Sequence, residues 1–120
     1  MPTVLVIDDQ KETVRLIESI LATRKIETIS APKAQEGLAL MRQHLPDVVI
    51  MDLLLPEIDG FTAIEMMKDD EDLQDIPVIA ITAASIAHTH ERLREVGADA
   101  FIGKPFQIPQ LINLVERFIK

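Results

Sequence analysis

Apolar positions along the chain switch repeatedly between two spacings, and each switch predicts a change of element. Thr3 to Ile7 (TVLVI) is a continuous apolar, β-branched run, the pattern of a strand covered on both faces. Past Asp8 and Asp9 the spacing lengthens: Val14, Ile17 and Leu21 form a helical stripe that Leu16 and Ile20 widen. Ile26 to Ser30 (IETIS) alternates more weakly, as expected of an edge strand. Pro32 marks the entry to a second helix with Ala34, Leu38, Met41 and Leu45 on its buried side, and Pro46 stops it.

Asp47 to Met51 (DVVIM) is the most uniformly apolar segment and predicts a central strand. A loop from Asp52 to Gly60 follows. Phe61, Ile64 and Met67 then mark a third helix, which runs out into the acidic stretch Asp69 to Asp72. Pro77 to Ile81 (PVIAI) and Ala100 to Gly103 (AFIG) read as the fourth and fifth strands, and Ile108, Leu111, Val115 and Ile119 as the last helix. Between those strands Ile86, Leu93 and Val96 are thinly spread among His88, His90, Glu91, Arg92 and Arg94, with Gly97 as the stop. So sparse a stripe predicts weak docking, which makes the fourth helix the expected movable element.

Strands and helices alternate five times, which implies parallel pairing and right-handed crossovers. The expected fold is α/β, a doubly wound sheet with helices on both faces. Residues 1–120 read as one domain, with no linker, repeat or low-complexity segment.

Composition narrows the function classes. A chain of 120 residues with 48% hydrophobic content supports a packed core, built from aliphatic side chains because aromatics make up only 3%. With no cysteine, disulfide scaffolds, thiol catalysis and cysteine zinc sites are excluded. The net charge of −8 opposes phosphate backbones and anionic membranes, so nucleic acid is not an expected direct ligand. No apolar run reaches the ~18 residues of a membrane span. Because the first strand begins at Thr3, no signal peptide is expected, and the protein is expected to be soluble and cytoplasmic.

The candidate chemistry lies at strand ends, where open α/β sheets bind ligands. The first strand ends at Asp8-Asp9, the third at Asp52, the fourth at Thr82 and the fifth at Lys104-Pro105. Three carboxylates brought together repel unless a cation neutralises them, and a hard divalent ion, Mg²⁺ above all, suits an all-oxygen set. A lysine and a hydroxyl alongside could hold phosphoryl oxygens, and phosphoryl transfer asks mainly for positioning and charge balance. Taken singly, each residue has a plainer reading: Asp or Thr as a helix cap, Lys as a solvated charge. Their coincidence at one edge favours the chemical reading.

In order and spacing these residues resemble the response-regulator receiver family, the chemotaxis-regulator fold. The motifs are Asp8-Asp9, D-L-L-L-P-E-I-D-G (Asp52 to Gly60), I-T-A (Ile81 to Ala83) and G-K-P-F (Gly103 to Phe106). The resemblance spans essentially the whole chain. It implies a flavodoxin-like five-stranded sheet of order 2-1-3-4-5 with five helices. It also implies Asp52 as phosphoryl acceptor, with Mg²⁺ held by Asp8, Asp9 and Asp52 and by the backbone carbonyl of Leu54. Thr82 and Lys104 would bind the phosphoryl group, Phe101 would turn inward as Thr82 shifts, and the bond before Pro105 would be cis.

The implied partners are a histidine kinase or histidine phosphotransferase and a downstream protein target. Monomer, or weak dimer on the face of the fourth helix, fifth strand and fifth helix, is the expected state. No enzymatic turnover is expected beyond self-phosphorylation and self-dephosphorylation. Apolar Leu54 and small Ala84, each two residues past a motif position, bear on the lifetime of the phosphoryl group.

Rival readings separate on sequence. A haloacid-dehalogenase-type phosphohydrolase places its nucleophile after the first strand in a D-x-D pattern, where this chain has adjacent Asp8-Asp9. A nucleotide-binding protein would carry a glycine-rich loop there. A pseudo-receiver, kept for protein contact alone, and a receiver fragment of a longer regulator share every motif. His88 and His90 are two apart and diverge on a helix, a poor metal pair. Met51, Met66 and Met67 read as core filler, the run Asp69 to Asp72 as a solvated loop, and Arg92 and Arg94 as surface charges.

Overall fold

In the computed structural model of the chain the described residues are 1–83 and 87–119, with the backbone alone for 87–90. The expectations for Ala84 and Ile86, and for the side chains of His88 and His90, lie outside them. Five strands and five helices alternate among these residues: β1 (Thr3–Ile7), α1 (Lys11–Ala22), β2 (Glu27–Ala31), α2 (Ala34–His44), β3 (Val48–Asp52), α3 (Gly60–Lys68), β4 (Val78–Thr82), α4 (Ala87–Val96), β5 (Ala100–Gly103) and α5 (Ile108–Phe118). The sheet runs β2-β1-β3-β4-β5, with every pairing parallel.

Central position explains the uniformly apolar strands. All five residues of β3 and of β4 are buried, because helices cover both faces of the sheet. Successive side chains still divide between the layers. Leu5 and Ile7 of β1 point into a core with Met41, Ile64, Met67 and Leu93, whereas Val4 and Val6 join Ile17, Leu21, Leu111 and Val115 on the other face. The edge strand β5 buries only Ile102.

Several apolar positions expected inside are outside. Leu16 is exposed, since Ile17, Ile20 and Leu21 already fill the face of α1 turned to the sheet. Leu45 lies beyond the last turn of α2 as its C-cap, in the left-handed region at φ 46°, and is 62% exposed. Met66 and Ile108 are exposed as well, so Met66 is not core filler. Asp70 is more than a solvated charge: its carboxylate accepts the Asp72 N–H (2.8 Å) and pairs with Arg42. Gly97 ends α4 at φ 93°, where the Ala98 N–H donates back to the Leu93 carbonyl at 3.0 Å. Because the register pairs Ile7 with Met51 and Asp52 with Ile81, the C-terminal ends of β1, β3 and β4 finish side by side.

Candidate functional site at the carboxyl edge of the sheet

Where β1 gives way to α1, Asp8 and Asp9 leave the sheet in different directions. Asp8 is buried at 3% exposure, while Asp9 faces solvent. The Gln10 N–H donates to Asp8 Oδ1 at 2.8 Å, which holds the buried carboxylate at the strand end. Asp52, the last residue of β3, is 4% exposed and takes the Leu54 N–H on Oδ1 at 3.0 Å. That turn leaves the Leu54 side chain in water, 69% exposed.

The loop after Asp52 folds tightly down on the start of α3. The Gly60 N–H donates to the Leu53 carbonyl at 3.1 Å, and a Cβ at residue 60 would stand 2.6 Å from Leu53 Cα. Asp59 caps α3, its Oδ1 accepting the Thr62 N–H at 2.9 Å. On the other flank Thr82 ends β4 buried, and its carbonyl accepts the Lys104 N–H at 2.7 Å. The Lys104–Pro105 peptide bond is cis.

One carboxylate oxygen from each of Asp8, Asp9 and Asp52 lies within 4.8 Å of the others. Lys104 reaches into this group, its Nζ 3.0 Å from Asp8 Oδ2 and 3.5 Å from Asp52 Oδ2. Opposed effects act on the Asp52 carboxyl, with a net upward shift in pKa. Burial contributes most and raises it; the Leu54 N–H lowers it, Asp8's charge raises it and Lys104 lowers it. An all-oxygen donor set carrying uncompensated negative charge fits a hard divalent cation.

The sequence-predicted residues thus come together with one exception. Asp8, Asp9, Asp52, Thr82, Lys104 and the Leu54 backbone meet at one edge. Phe101, paired in register with Ala80 further back along the sheet, is 43% exposed. One residue of the cluster escaped the sequence reading: Gln10, whose Oε1 accepts from Lys104 Nζ at 3.1 Å. A signal was present, because glutamine is an uncommon choice at a helix N-cap, where a shorter polar side chain is favoured.

Comparison with known proteins agrees with this geometry. The family model described as the response regulator receiver domain matches residues 4–116. The polar-differentiation response regulator DivK of Brucella ovis is 35% identical over 98% of this chain and 95% of its own length. Among solved structures, the signal receiver domain of a signal transduction histidine kinase from Syntrophus aciditrophicus superposes with a TM-score of 0.92. It is 30% identical, covering 99% of this chain and 90% of that one. The receiver domain of NtrX from Brucella abortus is likewise 30% identical, with a TM-score of 0.89 and 97% of both chains covered. With its fold, its acidic edge and these relatives in agreement, the chain belongs to the response regulator receiver domain family.

Proposed function

We propose that this chain is a phosphorylatable receiver of a two-component or phosphorelay system, taking a phosphoryl group onto Asp52 from a histidine kinase or histidine phosphotransferase. The observation that carries the reading is the buried Asp52 carboxylate, set among Asp8, Asp9 and Lys104 at the strand ends. In the transfer an Asp52 carboxylate oxygen forms the new bond to phosphorus as the bond from phosphorus to the donor nitrogen breaks. The product is an acyl phosphate.

Asp8, Asp9 and Asp52, with the Leu54 carbonyl, would hold Mg²⁺, which when bound supplies positive charge to the oxygens around phosphorus. The chain's own groups do the remaining work. Lys104 pairs with the phosphoryl oxygens, giving up part of its hold on Asp8. The Leu54 N–H keeps the Asp52 carboxylate oriented, and burial keeps competing water few. Thr82 hydrogen-bonds the phosphoryl group, and Phe101, with apolar area still to bury, follows it inward. Among its described side chains α4 buries Leu93 and Val96, and it shifts with Thr82 and Phe101. A downstream protein reads the altered face of α4, β5 and α5. The output is a docking event in the cytoplasm, not turnover of a small substrate.

Intact-protein mass after incubation with acetyl phosphate and Mg²⁺ tests the reading. One added phosphoryl group is expected in wild type, and none in Asp52→Asn or without Mg²⁺. An adduct that persists in Asp52→Asn overturns it. So does the lack of any adduct in a wild-type protein that also fails to bind beryllofluoride.

A further inference from the structure

Three oxygens surround the Lys104 ammonium, and one of them belongs to an amide. Asp8 Oδ2 lies at 3.0 Å, Gln10 Oε1 at 3.1 Å and Asp52 Oδ2 at 3.5 Å. An ammonium has three N–H donors, and this arrangement uses each of them. Since lysine can only donate, the amide end facing it is the oxygen, and the Thr13 hydroxyl donates to the same atom at 3.4 Å.

Gln10 is the N-cap residue of α1, yet its side chain makes no capping bond. Serine, threonine, aspartate or asparagine at such a position would satisfy an amide of the first turn. The backbone of Gln10 serves the helix and the site, its carbonyl accepting the Val14 N–H at 3.2 Å and its N–H donating to Asp8 Oδ1. Its side-chain oxygen caps no backbone amide and lies instead between the Lys104 ammonium and the Thr13 hydroxyl. A neutral acceptor suits the place: a further carboxylate would add repulsion to Asp8, Asp9 and Asp52 and bind Lys104 more tightly than release to a phosphoryl group allows.

We propose that Gln10 is a positioning residue whose side-chain oxygen holds the Lys104 ammonium over Asp52. Its consequence for chemistry rests on the phosphoryl-acceptor reading above. Lys104 is aimed before the phosphoryl group arrives, so less freedom is lost in the reacting complex.

The test uses the full chain carrying Gln10→Ser, with Gln10→Glu as the variant that keeps an acceptor oxygen. Serine is the better cap, so thermal stability is expected to stay level or rise, which a merely structural role for Gln10 would not produce. The first readout is the Lys104 ammonium signal in ¹⁵N NMR without metal. It should be sharp in wild type, broadened in Gln10→Ser and retained in Gln10→Glu. The second is the rate of phosphorylation by acetyl phosphate at saturating Mg²⁺, expected to fall roughly three- to tenfold in Gln10→Ser, the worth of one hydrogen bond. An unchanged Lys104 signal in Gln10→Ser overturns the proposal whatever the rate does. A wild-type protein that takes up no phosphoryl group would sink the acceptor reading instead, and the NMR signal would still decide whether Gln10 holds Lys104.

Discussion

The guanidinium carbon of Arg92, on α4, stands 4.2 Å from the centroid of the Phe61 ring on α3. A cation over an aromatic face is held by the ring's quadrupole, worth about 0.5–1 kcal/mol at an exposed site. The contact ties α4 to a helix that begins beside Asp52. In a double-mutant cycle of Arg92→Ala and Phe61→Leu, urea unfolding should give a coupling energy of about 0.5 kcal/mol. Strict additivity would show that the two side chains merely lie near each other.

Stability at the acidic edge should depend on pH with a definite sign. The folded protein keeps the Asp52 proton to a higher pH than the unfolded chain does, mainly because the carboxyl is buried. The folded state therefore binds more protons in that window, and the contribution of Asp52 is lost as pH rises through its folded value. In metal-free buffer at neutral pH, Asp52→Asn should be more stable than wild type. The gap should close once the pH falls below the ordinary carboxylate range. A gap that stays constant across pH would mean that ionisation of Asp52 is not its source.

Gly60 admits no side chain. A Cβ there would collide with the Asp52 carbonyl and lie 2.6 Å from Leu53 Cα, both backbone atoms that cannot swing aside. Gly60→Ala should cost about 2–3 kcal/mol in thermal or urea unfolding, the upper range for overpacking. Because the clash falls on the residues carrying the acceptor, beryllofluoride binding should weaken as well. Wild-type behaviour on both counts would mean that the loop can lift away.

At the opposite end of α2, Leu45 occupies the left-handed region while its side chain is 62% exposed. A leucine there meets the Cβ strain of that conformation, typically about 1–2 kcal/mol, and buries little in return. Leu45→Gly should raise stability by about 0.5–1 kcal/mol, after allowing for glycine's greater freedom in the unfolded chain. Calorimetry checks this, and a lowered melting temperature would show that the exposed leucine contributes packing after all.

Much of the fold was legible because period and punctuation are local. The continuous runs at Thr3 to Ile7 and Pro77 to Ile81, each followed by a helical stripe, required parallel strands with crossovers. Exposed apolar residues were harder to read. Leu16 and Met66 sit near enough to their stripes to look buried, and only the direction of the helix axis over the sheet excludes them. Arg92 looked like a surface charge because nothing in the spacing of α3 and α4 reveals that Phe61 lies beneath it.

Element type, strand succession and the placing of Asp8, Asp9, Asp52, Thr82 and Lys104 at strand ends were determined by the sequence itself, through periodicities that each segment carries alone. The tertiary structure decided which oxygens share the Lys104 ammonium: Asp8, Gln10 and Asp52 come from two strand ends separated by more than 40 residues. It also decided that Asp52 is buried while Asp9 is wet. Burial and mutual distance arise only when separate segments meet. They set charge repulsion, proton affinity and hydrogen-bond partners, so the chemistry of this edge takes its form from the packed chain.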